Sequence, residues 1–164
     1  MALPNKVLPG FSAALYCQPT ATPTPLTVAQ LSLVASVSPI AVSGNLLPVE
    51  AIPAFGQDDA VANFAVAGAR QSDKIPVQSA PTSLSITAAW NPSDTNLLLM
   101  RGDAYSGVVD RTFVISATEG SNIVYYAFNG RVSQFDIDAQ PGAEAKCIFT
   151  IHPRGGQYGW SNNA

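Results

Sequence analysis

Paired acidic residues are the first candidates for chemistry in this sequence. Asp58 and Asp59 are adjacent, and Asp136 and Asp138 lie two positions apart in a strand-like stretch, which places both carboxylates on one face. Such pairs can transfer protons or bind a hard cation such as Ca²⁺. Neither pair has the glycine-spaced oxygen ligands of a calcium loop, so the pattern favours an acidic solvent-facing surface or the acidic lining of a channel.

The residue types that most often bind metals or act as nucleophiles are scarce. Two cysteines, Cys17 and Cys147, and one histidine, His152, are too few for a disulfide framework or a zinc site. Free buried thiols are favoured, and a single Cys17–Cys147 bridge is the alternative. The sequence has no nucleophile elbow, no glycine-rich phosphate loop and no acid/base pair that includes histidine. We therefore predict that the protein is not an enzyme and has no catalytic residues, metal or cofactor.

Arg101-Gly102-Asp103 matches the tripeptide through which adhesion proteins bind integrins. Recognition of that kind requires the tripeptide on an exposed loop, whereas the apolar residues around it have helical spacing. We interpret the match as a coincidence.

Low charge is the most unusual feature of the composition. Charged residues make up 12% of the 164, about half of the usual quarter, and the formal net charge is −3. An acidic chain without clustered Lys and Arg is poorly suited to binding nucleic acid or anionic membranes. A lone subunit with so few charges would expose much apolar surface, which favours burial against other copies of the chain.

The sequence gives no indication of a membrane or secretion signal. No apolar span reaches 18 residues, so no membrane helix is expected. Pro4, Pro9 and Gly10 interrupt the apolar N-terminal residues, and we expect the N-terminus to be retained.

The clearest structural pattern lies in residues 110–153, where apolar segments are separated by breaks at Gly120, Asn129-Gly130 and Pro141-Gly142. Alternating polarity with many β-branched and aromatic residues predicts an antiparallel meander. Further strands are predicted at 11–17, 28–37, 74–78 and 82–90. The predicted fold class is mainly β, an antiparallel sandwich or barrel, in a single domain over 1–164 with a short C-terminal tail at 157–164. The residues predicted to form the core are Leu84, Ile86, Leu97, Leu98, Phe113, Ile115, Phe135, Phe149 and Ile151.

One flanking helix is predicted at about 92–106. Asn91 can cap it, Pro92 suits the first helical position, and Gly107 is a natural end. Its apolar face is expected to lie on the sheet through Leu97, Leu98, Met100, Ala104 and Tyr105.

Two segments interrupt the strand pattern. Residues 18–25 are a Pro/Thr stretch, expected to be an extended loop. Residues 38–74 predict a long loop that is too apolar for a solvated linker. One interpretation is an assembly loop that orders on a neighbouring copy, so that deleting 44–56 leaves a folded subunit that cannot assemble. Its interface residues would be Leu46, Leu47, Val49, Ile52 and Phe55. The other is a loop folded over its own core, with a short strand at 61–67.

Two parts of the chain resemble the major tail tube proteins of long-tailed, siphovirus-like bacteriophages. The run YAFNGRVSQF at 126–135 resembles that family's aromatic-x-Gly-x-Val-x-x-Phe strand pair, and AKCIFTIHPRG at 145–155 resembles its final strand. Ser85, Thr87, Trp90-Asn91-Pro92 and Asp94 are similar to the segment that precedes the family's helix. The Pro/Thr stretch and the C-terminal tail have no counterpart in the family pattern.

The resemblance implies a structural virion protein. Its subunits would form hexameric rings that stack into a hollow tail tube, through which double-stranded DNA passes without specific binding. The implied partners are further copies of the chain and tape-measure, tail terminator and baseplate or tip proteins, with no membrane. The implied location is the virion tail, after assembly in the host bacterial cytoplasm. Asp136 and Asp138 are the candidates for an acidic lumen lining.

Two alternatives stay open. One is the inner-tube ring protein of a contractile injection or secretion system, which also forms stacked rings. The other is a capsid-decorating or secreted β-sandwich module for adhesion, which requires Arg101-Gly102-Asp103 to be displayed.

Overall fold

The structure, a computed structural model, describes residues 12–20, 26–64, 73–119 and 121–163. The N-terminus expected to be retained, residues 21–25 of the Pro/Thr stretch and residues 65–72 of the long loop lie outside the described residues.

The described chain is mainly antiparallel β-sheet, which confirms the predicted fold class. The strands are β1 (Ser12–Cys17), β2 (Gln57–Phe64), β3 (Asp73–Pro81), β4 (Leu84–Ala89), β5 (Asp110–Glu119), β6 (Asn122–Asp138) and β7 (Lys146–Asn163). Five of them form one sheet in the order β1-β5-β6-β7-β4, and β2 pairs with β3 in a separate two-stranded sheet. The helices are α1 (Val28–Leu31), α2 (Val34–Val37) and α3 (Thr95–Ser106).

Residues 46–50, here called the closure segment, connect the two edges of the five-stranded sheet. At one edge, the Leu47 amide donates to the Leu15 carbonyl of β1 at 2.9 Å. At the other edge, the Ala89 amide donates to the Pro48 carbonyl and the Glu50 amide donates to the Thr87 carbonyl, each at 3.0 Å. The sheet is therefore closed into a barrel by backbone hydrogen bonds to the later residues of both edge strands.

The inner face of this barrel holds the main core. Phe113 of β5 stacks on Phe128 of β6 at 5.6 Å between ring centroids, and α3 contributes the fully buried Leu97 and Met100. Seven of the residues predicted for the core are at most 1% exposed: Leu84, Ile86, Leu97, Phe113, Ile115, Phe149 and Ile151. Phe135 is partly buried and stacks on Phe149 at 5.9 Å.

Both cysteines are buried free thiols, and burial raises the pKa of Cys17 to about 12.

A second core lies on the outer face, under α1 and α2. Leu31, Val37 and Ile40 pack there against Val114 of β5 and Ala127 of β6. The strand predicted at 28–37 is therefore wrong, because Leu31, Val34 and Val37 are three residues apart and lie on one side of two short helices. Thr27 begins α1 with a capping box, in which its hydroxyl accepts from the Gln30 amide at 3.3 Å.

The helix α3 exists as predicted, but its start and its buried face differ. Asp94 is the N-cap, accepting from the Asn96 and Leu97 amides at 2.9 and 3.1 Å, so the helix begins at Thr95. Leu98 and Tyr105, predicted to lie on the sheet, are 42% and 76% exposed. The buried side includes two polar residues instead, Asn96 and Asp103, each with a partner inside the protein. An apolar pattern alone could not identify that face.

Three other boundaries depart from the sequence prediction. The break predicted at Asn129-Gly130 is absent, and β6 continues through both residues. Gly130 serves close packing there and not a turn, since a Cβ at this position would lie 2.8 Å from Cγ2 of Ile151. The predicted tail at 157–164 is wrong for 157–163, which belong to β7 and pair with β6, as in Tyr125 with Ser161. The long loop is interrupted by β2, which pairs with β3.

Gly159 provides a test of how closely α1 packs on β7. A Cβ at this position would lie 2.4 Å from Cβ of Leu31 and 2.5 Å from its carbonyl carbon, so α1 would have to move. We expect Gly159→Ala to lower the free energy of unfolding by about 1–3 kcal/mol, measured by urea denaturation.

The matched control is Gly102→Ala, because a Cβ on this α3 glycine would meet no atom within 4 Å. It should raise stability by about 0.5–1 kcal/mol through helix propensity. Equal effects of the two substitutions would contradict the close packing of α1.

Candidate assembly surface

The residues predicted for a subunit interface belong largely to the subunit's own fold. Leu47 is 1% exposed and belongs to the main core, and Val49, Ile52 and Phe55 pack against that core. Phe55 also meets Tyr126 edge-to-face, at 5.2 Å between ring centroids. Leu46, at 40% exposure, is the member of this set that offers most surface to a partner. Deleting 44–56 would remove Leu47 and the closure segment, so we now expect that deletion to destabilise the subunit itself.

Asn96 of α3 holds the closure segment in place. Its side-chain amide donates to the carbonyls of Gly44 and Leu46, at 3.0 and 3.1 Å. Both bonds are at least partly buried, so each is expected to stabilise the closed barrel by about 1 kcal/mol.

Asp103 is held inside the protein by Arg111 of β5. Nε and Nη2 of Arg111 donate to the two carboxylate oxygens of Asp103, the second at 3.0 Å, and the Asp103 residue is 4% exposed. Nη1 of Arg111 donates to the Pro19 carbonyl, which ties the start of the Pro/Thr stretch to the same pair. The hydrogen bond to Asp103 raises the pKa of Arg111 against the opposing effect of burial. The aspartate of Arg101-Gly102-Asp103 is therefore not available to an adhesion partner.

The outer surface of β4, of residues 146–154 of β7 and of the second half of β6 is open, in that no described helix covers it. We call it the open face. On β7 its side chains alternate with the buried Cys147, Phe149 and Ile151, and strand register places those of β6 and β4 beside them. It comprises Ser85, Thr87, Arg131, Ser133, Asp136, Asp138, Lys146, Ile148, Thr150, His152 and Arg154.

The two acidic residues singled out from the sequence both lie exposed on this face. Asp136 accepts a hydrogen bond from the Gln134 side chain at 2.7 Å. Asp138 is the last residue of β6 and pairs with Lys146 in the strand register. Lys146 forms an ion pair with Glu50 of the closure segment, at 2.8 Å. The face is therefore mostly hydroxyl and carboxylate, with its one lysine already paired.

Sequence reasoning missed the basic part of the open face. Arg131 donates to both carboxylate oxygens of Asp110, at 2.9 and 3.1 Å, and Arg154 lies 3.9 Å from the same carboxylate. The ring nitrogens of His152 are 2.8 Å from the Ser83 hydroxyl and 2.5 Å from the Ser133 hydroxyl. The β5–β6, β6–β7 and β4–β7 registers together bring these residues into one place, and the sequence carries no signal for those registers.

The described residues offer little for catalysis. A cavity of about 460 Å³ lies beneath residues 52–55, and its lining from Ala13, Ile115, Ala117 and Tyr126 is almost entirely apolar. No group of three His, Cys, Asp or Glu side chains within the described ranges could hold a metal ion. None of the helices described is long and apolar enough to cross a membrane.

Several large apolar side chains are exposed among the residues that the structure describes. On and after α3 these are Leu98, Tyr105 and Val108, of which the last two are more than 70% exposed. Trp160 of β7 is 60% exposed.

The fold is shared with components of phage tails and injection systems. A chain of the PVC extracellular contractile injection system, from its sheath/tube terminator structure in the extended state, superposes with a TM-score of 0.66 at 11% identity, covering 96% of this chain and 99% of that chain. A chain of the anti-feeding prophage tube-terminating cap gives 0.62 at 13% identity, covering 100% and 95%. The SPP1 tail tube gives 0.55 at 12% identity, covering 90% and 76%. No protein-family model and no curated protein sequence matches the chain.

At these identities the likeness concerns the fold. The chain has a tail-tube-like fold over nearly its whole length, which confirms the predicted resemblance at the level of architecture.

The buried Asp103–Arg111 pair gives a test that separates a structural from an adhesive role for the tripeptide. Asp103→Ala should lower the free energy of unfolding by about 3–5 kcal/mol, because it leaves the Arg111 guanidinium buried without a counter-charge. Arg101→Ala removes only an exposed cation–π contact with Tyr105 and should cost less than about 1 kcal/mol. Similar small losses for both variants in chemical denaturation would contradict a structural role for Asp103.

Proposed function

We propose that this chain is the structural subunit of a hollow tail or injection tube, in which copies form rings and the rings stack. The single observation that carries the proposal is the tail-tube-like fold. It extends over 96–100% of this chain and 95–99% of the chains from the contractile injection system and the prophage cap.

The surface composition supports assembly. Charged residues are 12% of the chain, and exposed apolar side chains lie both on α3 and at Trp160. Exposed apolar surface on two separate elements favours contacts between identical subunits, and head-to-tail contacts close into rings or continue as open stacks. The family that the sequence resembles forms rings of six copies, and we propose the same number here.

In this proposal the open face lines the lumen. Exposed Asp136 and Asp138 would give the wall negative charge. Of the basic residues on this face, Arg131 and Lys146 are paired with Asp110 and Glu50, and Arg154 is the one least engaged by a carboxylate. Like charge on the wall and on double-stranded DNA would let the genome pass without binding to it. Tape-measure, terminator and baseplate proteins are the proposed partners, because open stacks do not set their own length.

A second candidate function is the inner tube of a contractile injection system. It is favoured by the matches to the PVC and anti-feeding prophage assemblies, which cover the partner chain more completely than the match to the SPP1 tail tube does. The ring and tube geometry is common to both candidates. They differ in what passes through the lumen and in whether a sheath surrounds the tube.

The adhesion alternative is not favoured. It requires the tripeptide at an exposed position, whereas Asp103 is paired with Arg111 in the interior.

Negative-stain electron microscopy of the purified chain over a concentration series tests the proposal. We expect rings with a central hole, and stacks of such rings as the concentration rises, because each subunit exposes apolar surface that further copies can bury. Sedimentation velocity on the same samples should show the ring mass. Single subunits throughout the series, by both methods, would contradict a tube-forming role.

A further inference from the structure

The open face carries a basic cluster in which one carboxylate serves two guanidinium groups. Asp110 is fully engaged by Arg131, whose two hydrogen bonds use both carboxylate oxygens. Arg154 reaches one of those oxygens only at 3.9 Å, and its side chain is 51% exposed. His152 lies beside Arg131 in the strand register, and Ser83 and Ser133 flank it with hydroxyl groups. Arg154 thus presents a guanidinium with spare donors to solvent.

The turn between β6 and β7 has more carboxylates than basic groups. Lys146 is engaged by Glu50 at 2.8 Å, and Asp138 and Glu144 lie close enough to add to the rise in the Lys146 pKa that the Glu50 hydrogen bond mainly causes. Three carboxylates therefore surround one ammonium group. Neither Asp138 nor Glu144 has an ion pair with any residue that the structure describes.

These two clusters cannot neutralise each other within one subunit. Arg131 and Asp138 are seven residues apart on the same extended strand, a separation of about 23 Å. That distance exceeds the Debye length of about 8 Å at physiological ionic strength. The charges are complementary only if one copy of the chain presents its turn to the basic cluster of another.

We infer that the acidic β6–β7 turn of one copy, through Glu144 and Asp138, binds the basic cluster of the next copy, through Arg154 and Arg131. The contact is heterologous, so it repeats from copy to copy and can build a ring or a stack. The inference rests on the proposed function and adds the residues that join the subunits. Asp136, between the two clusters, is left facing the lumen.

A carboxylate partner fits the basic cluster better than a nucleic acid does. The chain has a net charge of −3, and Asp136 and Asp138 lie on the same face as the cluster, where they repel a phosphate backbone. A carboxylate on a second copy brings only one local charge, and the forked donors of Arg154 match its two oxygens.

Charge reversal and its compensation test this contact. Arg154→Glu and Glu144→Arg should each raise the concentration needed for assembly by about tenfold or more, measured by light scattering and electron microscopy, because like charges then face each other. The double variant Arg154→Glu/Glu144→Arg restores opposite charges and should assemble close to the wild-type concentration. Assembly of the wild type should weaken from about 0.1 M to about 1 M salt, as the Debye length falls from about 10 to 3 Å.

Ala35→Glu is the matched control, since Ala35 is exposed on α2 and lies outside both the open face and the apolar surface of α3. It should assemble like the wild type, and circular dichroism should show that every variant is folded.

Single variants that assemble normally while the wild type forms rings would overturn the contact and leave the proposed function intact. A double variant that stays as impaired as the single ones would also overturn it. Wild-type binding of a 30-bp duplex, lost in Arg154→Glu without any effect on assembly, would assign the cluster to nucleic acid instead. A wild type that never assembles rejects the proposed function itself.

Discussion

The structure depends on the hydrogen bonds by which residues 46–50 connect the two edges of the sheet. A five-stranded antiparallel sheet leaves one row of backbone groups unpaired on β1 and another on β4. The closure segment pairs with part of each row and at the same time inserts Leu47 into the core. Asn96 fixes the segment to α3, so the helix and the barrel stabilise each other. The apolar loop that the sequence suggested as an assembly element is in large part the element that completes the subunit.

Closing the sheet in this way gives the outer surface two different halves. One half is covered by α1 and α2, with Gly159 allowing the backbone of α1 to approach β7. The other half, the open face, has no described helix over it and carries carboxylates, hydroxyls and a separate basic cluster. These polar groups are spread along a strand ladder, which suits contact with a large surface. The same separation of acidic and basic groups supports contacts that repeat from copy to copy.

Local pattern predicted the parts of the fold in which each residue alternates between core and solvent. The strands β5, β6 and β7 and most core positions on them, such as Phe113 and Ile151, follow from period-two alternation. It failed at 28–37, because small and apolar residues there fit strand and helix spacing equally well. It also failed on the face of α3, since Asn96 and Asp103 are buried by partners far away in the sequence. Asp136 and Asp138 could be picked out as a pair, whereas the basic cluster depends on a register that brings Arg131 opposite His152.

The central claim is that the open face lines the channel of a tube built from this chain. Helical reconstruction of assembled tubes by electron cryo-microscopy would test it most directly, because it places every strand relative to the tube axis. The account predicts β4, residues 146–154 of β7 and the second half of β6 at the lumen, with Asp136 pointing into it and α1 and α2 outside the channel lining. A tube with α1 and α2 lining the channel and Asp136 on its exterior would contradict the account.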